Sequence, residues 1–290
     1  AHGVYVPRAR LNKKSIAMAN SWFDASLNSL AKGERAICNW DEDTITMAVE
    51  AAKNCLASFS AAEIKSLYLA STTFPFTDRQ NSVVLSEALN LQSNIRTMDI
   101  GASQRSATSS LISLLESGVE SDALLVSSEH RKSKAGSRSE MLWGDAAGAL
   151  IIGHKNVIAE CIGVETSAVD FVDHYRGEES DFDYDWEERW IRDEGYLKLI
   201  PPVVEKLLSK ANIKSEEIAH LVLPSDQARA PGAIAKKLGV AQEAIVDNQI
   251  SSVGVAGAAQ PIVLFSKVLE TADPGEYILV LGFPLPLYLL

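Results

Sequence analysis

The stretch Met98-Asp-Ile-Gly-Ala-Ser-Gln-Arg-Ser-Ala-Thr-Ser-Ser-Leu-Ile-Ser-Leu-Leu-Glu-Ser-Gly118 decides how the chain is organised. It starts as a strand, turns through small residues and continues as a helix. Ala107, Leu111, Leu114 and Leu115 recur at helical spacing, while Ser106, Ser109, Ser110 and Ser113 are too small to hold neighbours away. A helix that is small on every face belongs between other elements. Free N–H groups in its first turn favour the partial negative charge that a thiolate or an enolate oxygen carries. The residue placed there is Gln104.

A second small-residue helix, 256–269, stands at the equivalent place later in the chain. Strands are expected over 2–10, 64–71, 95–100, 123–128 and 146–153, with helices over 13–22, 44–56 and 81–91 between them. Trp40-Asp-Glu-Asp-Thr44 supplies N-cap chemistry for the second of these helices. The order then repeats, with strands over 157–166, 220–223, 244–247 and 277–282. Its helices cover 187–211, with a break at Pro201-Pro202, then 230–238 and 256–269. Such alternation implies a layered α/β architecture from an internal duplication, with halves 1–156 and 157–290. The helices 103–118 and 256–269 pack against each other in the middle, because only small residues permit that approach.

The 290 residues are 47% hydrophobic and 22% charged, enough for one large domain or two fused halves. A net charge of −11 argues against general nucleic-acid binding, which needs a basic face. Cys38, Cys55 and Cys161 are too irregularly spaced for a disulfide framework or a zinc site, which fits a reducing cytoplasm. No apolar run reaches membrane-spanning length. Both ends read as clipped: the chain opens inside a strand-like run and closes on 281–290 without a glycine-rich turn. That leaves room for further residues or a further domain.

The duplicated pattern and several motifs in order resemble the thiolase-fold condensing enzymes, with closest similarity to archaeal-type hydroxymethylglutaryl-CoA synthases and, more distantly, β-ketoacyl synthase III. Gly3-Val-Tyr-Val-Pro-Arg8 is similar to that family's first strand, and 40–52 to its first long helix. Gly144-Asp-Ala-Ala-Gly-Ala149 is similar to its Gly-Asp-Gly-Ala-Gly-Ala turn. Ala235-Lys-Lys-Leu-Gly239 and Asp273-Pro-Gly-Glu-Tyr-Ile-Leu-Val280 match its second half. The resemblance implies a five-layered α/β/α/β/α fold and a coenzyme A thioester as ligand, with no cofactor or metal held by the chain. It also implies a homodimer paired through the segment 96–101, and association with a thiolase-type or zinc-ribbon/OB-fold partner.

The family's catalytic positions carry other residues here. Gln104 stands for the nucleophilic cysteine, and Pro224, Ser225 or Asp226 for the histidine. The run Val253-Gly-Val-Ala-Gly257 replaces the asparagine, and Thr72 the synthase's general-base glutamate. Attack on a thioester needs a thiolate, and an amide cannot form an acyl intermediate. Gln104 can donate N–H bonds to a thioester carbonyl or an enolate, or it can be a polar filler of a former active site. The candidate catalytic residues are therefore Gln104, Asp226 and Thr72, with Ser103, Arg105, Val253 and Gly254 at the substrate. Glu129-His-Arg-Lys132 reads as an exposed charged turn. The stretch 174–192 reads as a solvated flap leading into a helix whose Trp186, Trp190 and Ile191 face the body. Arg35, Arg105, Arg131 and Lys132 are the basic candidates for a coenzyme A mouth.

Two functions follow. In the first, an acyl-CoA protein makes or breaks a carbon–carbon bond without a cysteine nucleophile. In the second, a non-catalytic subunit scaffolds an active thiolase-type or zinc-ribbon/OB-fold partner. An ordinary condensing enzyme is disfavoured because no cysteine opens either small-residue helix.

Overall fold

The computed structural model describes residues 1–118, 121–283 and, in backbone only, 287–289. The remainder, including part of the closing run 281–290, lies outside the described residues. The larger of two main sheets runs in the order His2–Tyr5, Ala146–Ile152, Ala123–Glu129, Ser66–Ala70 and Arg96–Ile100. Ser66–Ala70 is parallel to both of its neighbours, whereas Ala123–Glu129 and Ala146–Ile152 are antiparallel. The second sheet runs Ile218–Val222, Tyr277–Leu281, Leu287–Leu289 and Gly163–Glu165.

Alternation along single strands assigns the layers, since successive side chains point to opposite faces. In Ala123–Glu129, Leu124 and Val126 pack outward with Met47 and Ala51 of the helix Thr44–Leu56 and Leu85 of Asn81–Ala88. Ala123 and Leu125 point the other way, to Leu111 of Ser106–Glu116 and Ile262 of Gln260–Leu269. In Tyr277–Leu281, Ile278 and Val280 join that same inner cluster, while Leu279 and Leu281 face Leu197–Ala211 and Ala230–Leu238. The result is α/β/α/β/α, with the two small-residue helices in contact in the middle layer as their composition requires. Gly148 shows how close the approach is: a Cβ there would lie 2.9 Å from Ile262 Cγ2.

Local chemistry sets the ends of these elements. Asp43 caps Thr44–Leu56 by accepting from the Thr46 N–H at 2.8 Å, and Thr46 closes a capping box. The first buried helix begins at Ser106 rather than 103, because Ser103 Oγ accepts the Arg105 N–H at 3.1 Å and holds a turn. The second opens with a 3₁₀ turn, Gly257–Ala259. Pro201 and Pro202 do not break their helix. Pro201 has no N–H to give the Leu197 carbonyl, and the Lys237 ammonium takes that acceptor instead. The strand expected over 157–166 shrinks to Gly163–Glu165, and 244–247 contributes a single bridge, Leu221 to Ile245.

Candidate functional site

Both central helices start at one cavity of about 110 Å³. Gln104 and Thr108 line it from the first helix, and Gly257 and Pro261 from the second. Its polar walls carry Arg131, His174 and Asp226, and no cysteine among the described residues lines it.

The wall opposite Gln104 comes from the stretch expected to be a solvated flap. His174–Tyr175 and Tyr184–Asp185 pair as a two-stranded hairpin with Asp185 opposite His174. The tip, 177–182, stays exposed, and the residue just before the second strand turns inward. Asp183, its side chain 3% exposed, forms ion pairs with Arg131 and, at 2.8 Å, with Arg176. Burial alone would raise the Asp183 carboxyl, but the two guanidiniums outweigh it and hold it below the ordinary range. Ser139 Oγ adds a 2.7 Å bond to Asp185. The stretch is solvated along most of its length, as expected, but His174 and Asp183 turn inward and form one wall of the cavity region. Trp186 and Trp190 are 45% and 46% exposed, Trp186 lining the cavity and Trp190 stacked on Phe171 with ring centroids 6.1 Å apart, while Ile191 packs against the second-half core.

Arg131 is the centre of the cluster. Its guanidinium lies over the Trp143 ring at 3.4 Å. One amide atom of Gln104 sits 2.9 Å from Nη1 and Nη2 and 3.3 Å from Nε, and 3.0 Å from His174 Nε2. Guanidinium nitrogens only donate, so that amide atom is the oxygen. That amide oxygen lies over the face of the Arg131 guanidinium and against His174 Nε2, so Gln104 packs on both cationic candidates at once. His174 Nδ1 lies 2.9 Å from Asp173 Oδ1.

The Glu129–Lys132 run is not an exposed turn. Glu129 is the last residue of a strand buried on both faces, and Arg131 is 6% exposed; His130, its side chain 43% exposed, and Lys132, paired with Asp181 at 2.9 Å, reach the surface. Glu129 Oε1 accepts from Ser71 Oγ (2.9 Å), Thr72 N–H (2.8 Å), Thr72 Oγ1 (3.1 Å) and Thr73 Oγ1 (2.8 Å). Its Oε2 accepts the Ala258 N–H at 3.0 Å. A buried carboxylate thus stands beside Thr72, the position matched to the synthase's glutamate, but it arrives from another strand. Gly257 makes room for it: φ is +46°, and a Cβ would meet Glu129 Cγ at 2.9 Å.

Of the residues expected from sequence, Gln104, Arg131, Pro224, Ser225 and Asp226 meet at the cavity, whereas Thr72, Ser103, Arg105, Val253 and Gly254 do not line it. Asp226 follows the strand Ile218–Val222; burial pushes its carboxyl up, Arg138 opposes, and Asp185 adds to the rise. Beside it is Tyr196, its hydroxyl pushed up by burial. Thr72 serves Glu129, and its carbonyl accepts from Arg176. Ser103 is exposed, and Val253 and Gly254 pack against Trp143 and Gly144. Arg35 is buried and donates to the Glu140 carbonyl at 2.8 Å. Sequence reasoning missed His174, Asp173, Asp183 and Glu129.

For a metal, the described residues offer one grouping, Cys38, His130 and Asp145, with ligand atoms within 4.8 Å of one another. It is self-satisfied: Asp145 Oδ2 accepts the Cys38 N–H at 2.7 Å and lies 3.1 Å from His130 Nδ1. Burial, then Asp145, pushes the Cys38 thiol far up, away from a ligating thiolate.

No family model matches the chain. It is 26% identical over 290 residues to a hydroxymethylglutaryl-CoA synthase of Pyrobaculum aerophilum, covering 97% of this chain and 82% of that one. Among solved structures it superposes on 3-oxoacyl-(acyl carrier protein) synthase III of Pseudomonas aeruginosa with a TM-score of 0.85 at 21% identity, covering 99% and 95% of the two chains. A hydroxymethylglutaryl-CoA synthase complexed with CoA superposes with a TM-score of 0.82 at 16% identity, covering 99% and 79%. The chain carries the thiolase fold and resembles its condensing enzymes along nearly its whole length.

Proposed function

We propose that this thiolase-fold chain is a hydroxymethylglutaryl-CoA synthase-like acyl-CoA protein that makes or breaks a carbon–carbon bond without a cysteine nucleophile. The observation that carries this reading is the cavity at the two helix starts, where a raised carboxyl, an arginine and a histidine meet without a thiol. Burial makes the Asp226 carboxylate a better base than an exposed one, suited to taking the α-proton of a bound thioester. The electron pair of that C–H bond moves through the new C=C to the thioester oxygen, and the cationic groups that Gln104 packs on stabilise the resulting enolate. The enolate carbon then bonds to an acceptor carbonyl; the reverse sequence breaks the bond.

Thr72, Ser103, Arg105, Val253 and Gly254 support the site from outside the cavity. The strand Arg96–Ile100 is paired only to Ser66–Ala70, and Met98 is 50% exposed, which supports pairing with a second copy. A cytoplasmic setting agrees with the free thiols.

The test is α-proton exchange of acetyl-CoA in D₂O, with binding followed by calorimetry. Wild-type protein is expected to bind and exchange, and Gln104→Ala to slow exchange about a hundredfold through disordering of Arg131 and His174. Absence of both binding and exchange, alone and with a partner, refutes the reading. One observation favours the scaffold alternative, namely a cavity of only about 110 Å³ whose outer wall is tied down through Asp183. Turnover that resides in a thiolase-type or zinc-ribbon/OB-fold partner and survives Gln104→Ala would select it.

A further inference from the structure

The proton count at the Gln104 oxygen deepens the reading above and rests on it. The oxygen against Arg131 is 3.0 Å from His174 Nε2, and two acceptors do not approach so closely without a hydrogen between them. Nε2 therefore carries one. The carboxylate Asp173 Oδ1 stands 2.9 Å from Nδ1. In this arrangement both ring nitrogens face acceptors, Asp173 Oδ1 and the Gln104 oxygen. The His174 side chain is 22% exposed. The groups facing it are Asp173 and Asp183 of the hairpin, Arg131 after the strand Ala123–Glu129, and Gln104 before the first buried helix.

We propose that His174 is the acid of the reaction, giving its Nε2 proton to the oxygen that forms when the carbon–carbon bond is made, with Asp173 as its positioning residue. In condensation, the enolate carbon bonds to the acceptor carbonyl and the C=O π pair moves onto oxygen. That alkoxide carries a full charge and displaces the neutral Gln104 amide oxygen as the partner of Nε2–H. The proton transfers, His174 is left neutral, and Asp226 retains the proton taken from the α-carbon. In cleavage, neutral His174 takes the hydroxyl proton, the C–C bond breaks and Asp226 returns a proton to the enolate carbon. Each direction conserves protons and electron pairs with no further reactant. The substrate class is a β-hydroxyacyl-CoA, or an acyl-CoA with a carbonyl acceptor. The pair Asp173–His174 enters from the hairpin, so an acid reaches this cavity although the strand ending at Val222 brings no histidine.

Two measurements separate this proposal from the function it rests on. In protein labelled with ¹⁵N-histidine, the resonances assigned to His174 by their loss in His174→Gln should report two protonated nitrogens at pH 7. A neutral tautomer overturns the proposal whatever the activity. Second, His174→Gln should slow α-proton exchange of acetyl-CoA far less than it slows cleavage, because Asp226 remains to take the proton and Arg131 remains to face the enolate. It should lose cleavage of 3-hydroxy-3-methylglutaryl-CoA to acetyl-CoA and acetoacetate by about a hundredfold or more. Imidazole added to His174→Ala should restore part of that cleavage, and His220→Gln, outside the cavity, should be unaffected. Exchange absent from the wild type removes the proposed function. Cleavage retained in His174→Gln removes the acid role alone.

Discussion

Replacing Glu129 by Gln exchanges one carboxylate oxygen for NH₂ and removes a buried charge that accepts from Ser71, Thr72, Thr73 and Ala258. The better amide orientation keeps its oxygen towards the hydroxyls and the Thr72 N–H. Its NH₂ then faces the Ala258 N–H, donor against donor. A hydrogen bond to a charged group is worth ~1.5–3 kcal/mol, so losing one outright and weakening the rest should cost about 2–4 kcal/mol. At roughly 2–4 °C per kcal/mol for chains somewhat shorter than this one, the melting midpoint should fall by about 4–16 °C. Glu129→Ala should cost more, because it leaves every donor unpaired and opens a void. Calorimetry and urea unfolding measure both variants. If both stay within about 0.5 kcal/mol of wild type, as harmless surface changes do, the buried carboxylate does not brace the loop 71–73 against the second central helix.

Asp226→Asn should raise stability while abolishing α-proton exchange. The folded carboxyl is raised from 3.8 by burial, so its contribution is present below about pH 4 and lost as pH rises through the folded value. The variant should therefore melt higher than wild type at pH 8, and a lower midpoint there contradicts this account. His130 is raised from 6.5 chiefly by its bond to Asp145, so its stabilisation is full below that pH and fades above it. Melting curves of His130→Gln should show a flatter dependence from pH 6 upward, and an unchanged slope would dismiss the pair. Burial pushes the Cys55 thiol up to about 11, and the Cys38 and Cys161 thiols are raised as well. Iodoacetamide at pH 7.5 should label them slowly and leave exchange intact; activity lost in step with mass-detected alkylation would reinstate a cysteine mechanism.

The layers were legible in sequence because close packing writes itself locally. Ser106 to Ser113 reads as a helix packed between layers, although Ser109 and Ser113 stay exposed on one face, and Asp43 reads as a cap. The cavity was half legible. Gln104 and Asp226 follow strands that the period already marked, so their place was readable by counting. His174 was not, because it meets Gln104 across 70 residues and nothing in Asp173-His-Tyr-Arg176 encodes the partner. Glu129 and Arg131 were misread because charge was taken as exposure, although their compensating donors and acceptors lie 52 to 129 residues away. Pro201 misled for a related reason, since the acceptor it abandons is claimed by a lysine on another helix.

The tie between Asp183, Arg131 and Arg176 has a consequence for affinity. On the proposed function, a hairpin that lifts to admit a thioester separates these ions in surroundings that salt screens weakly. Each ~1.4 kcal/mol by which the ties favour the closed form makes the open form about tenfold rarer. Apparent affinity falls by that same factor relative to the open form. Entry should then be limited by lifting: in stopped flow the observed rate should level off as ligand rises, and Asp183→Asn should raise the plateau. A rate that climbs linearly to high ligand would mean that the hairpin is not the door.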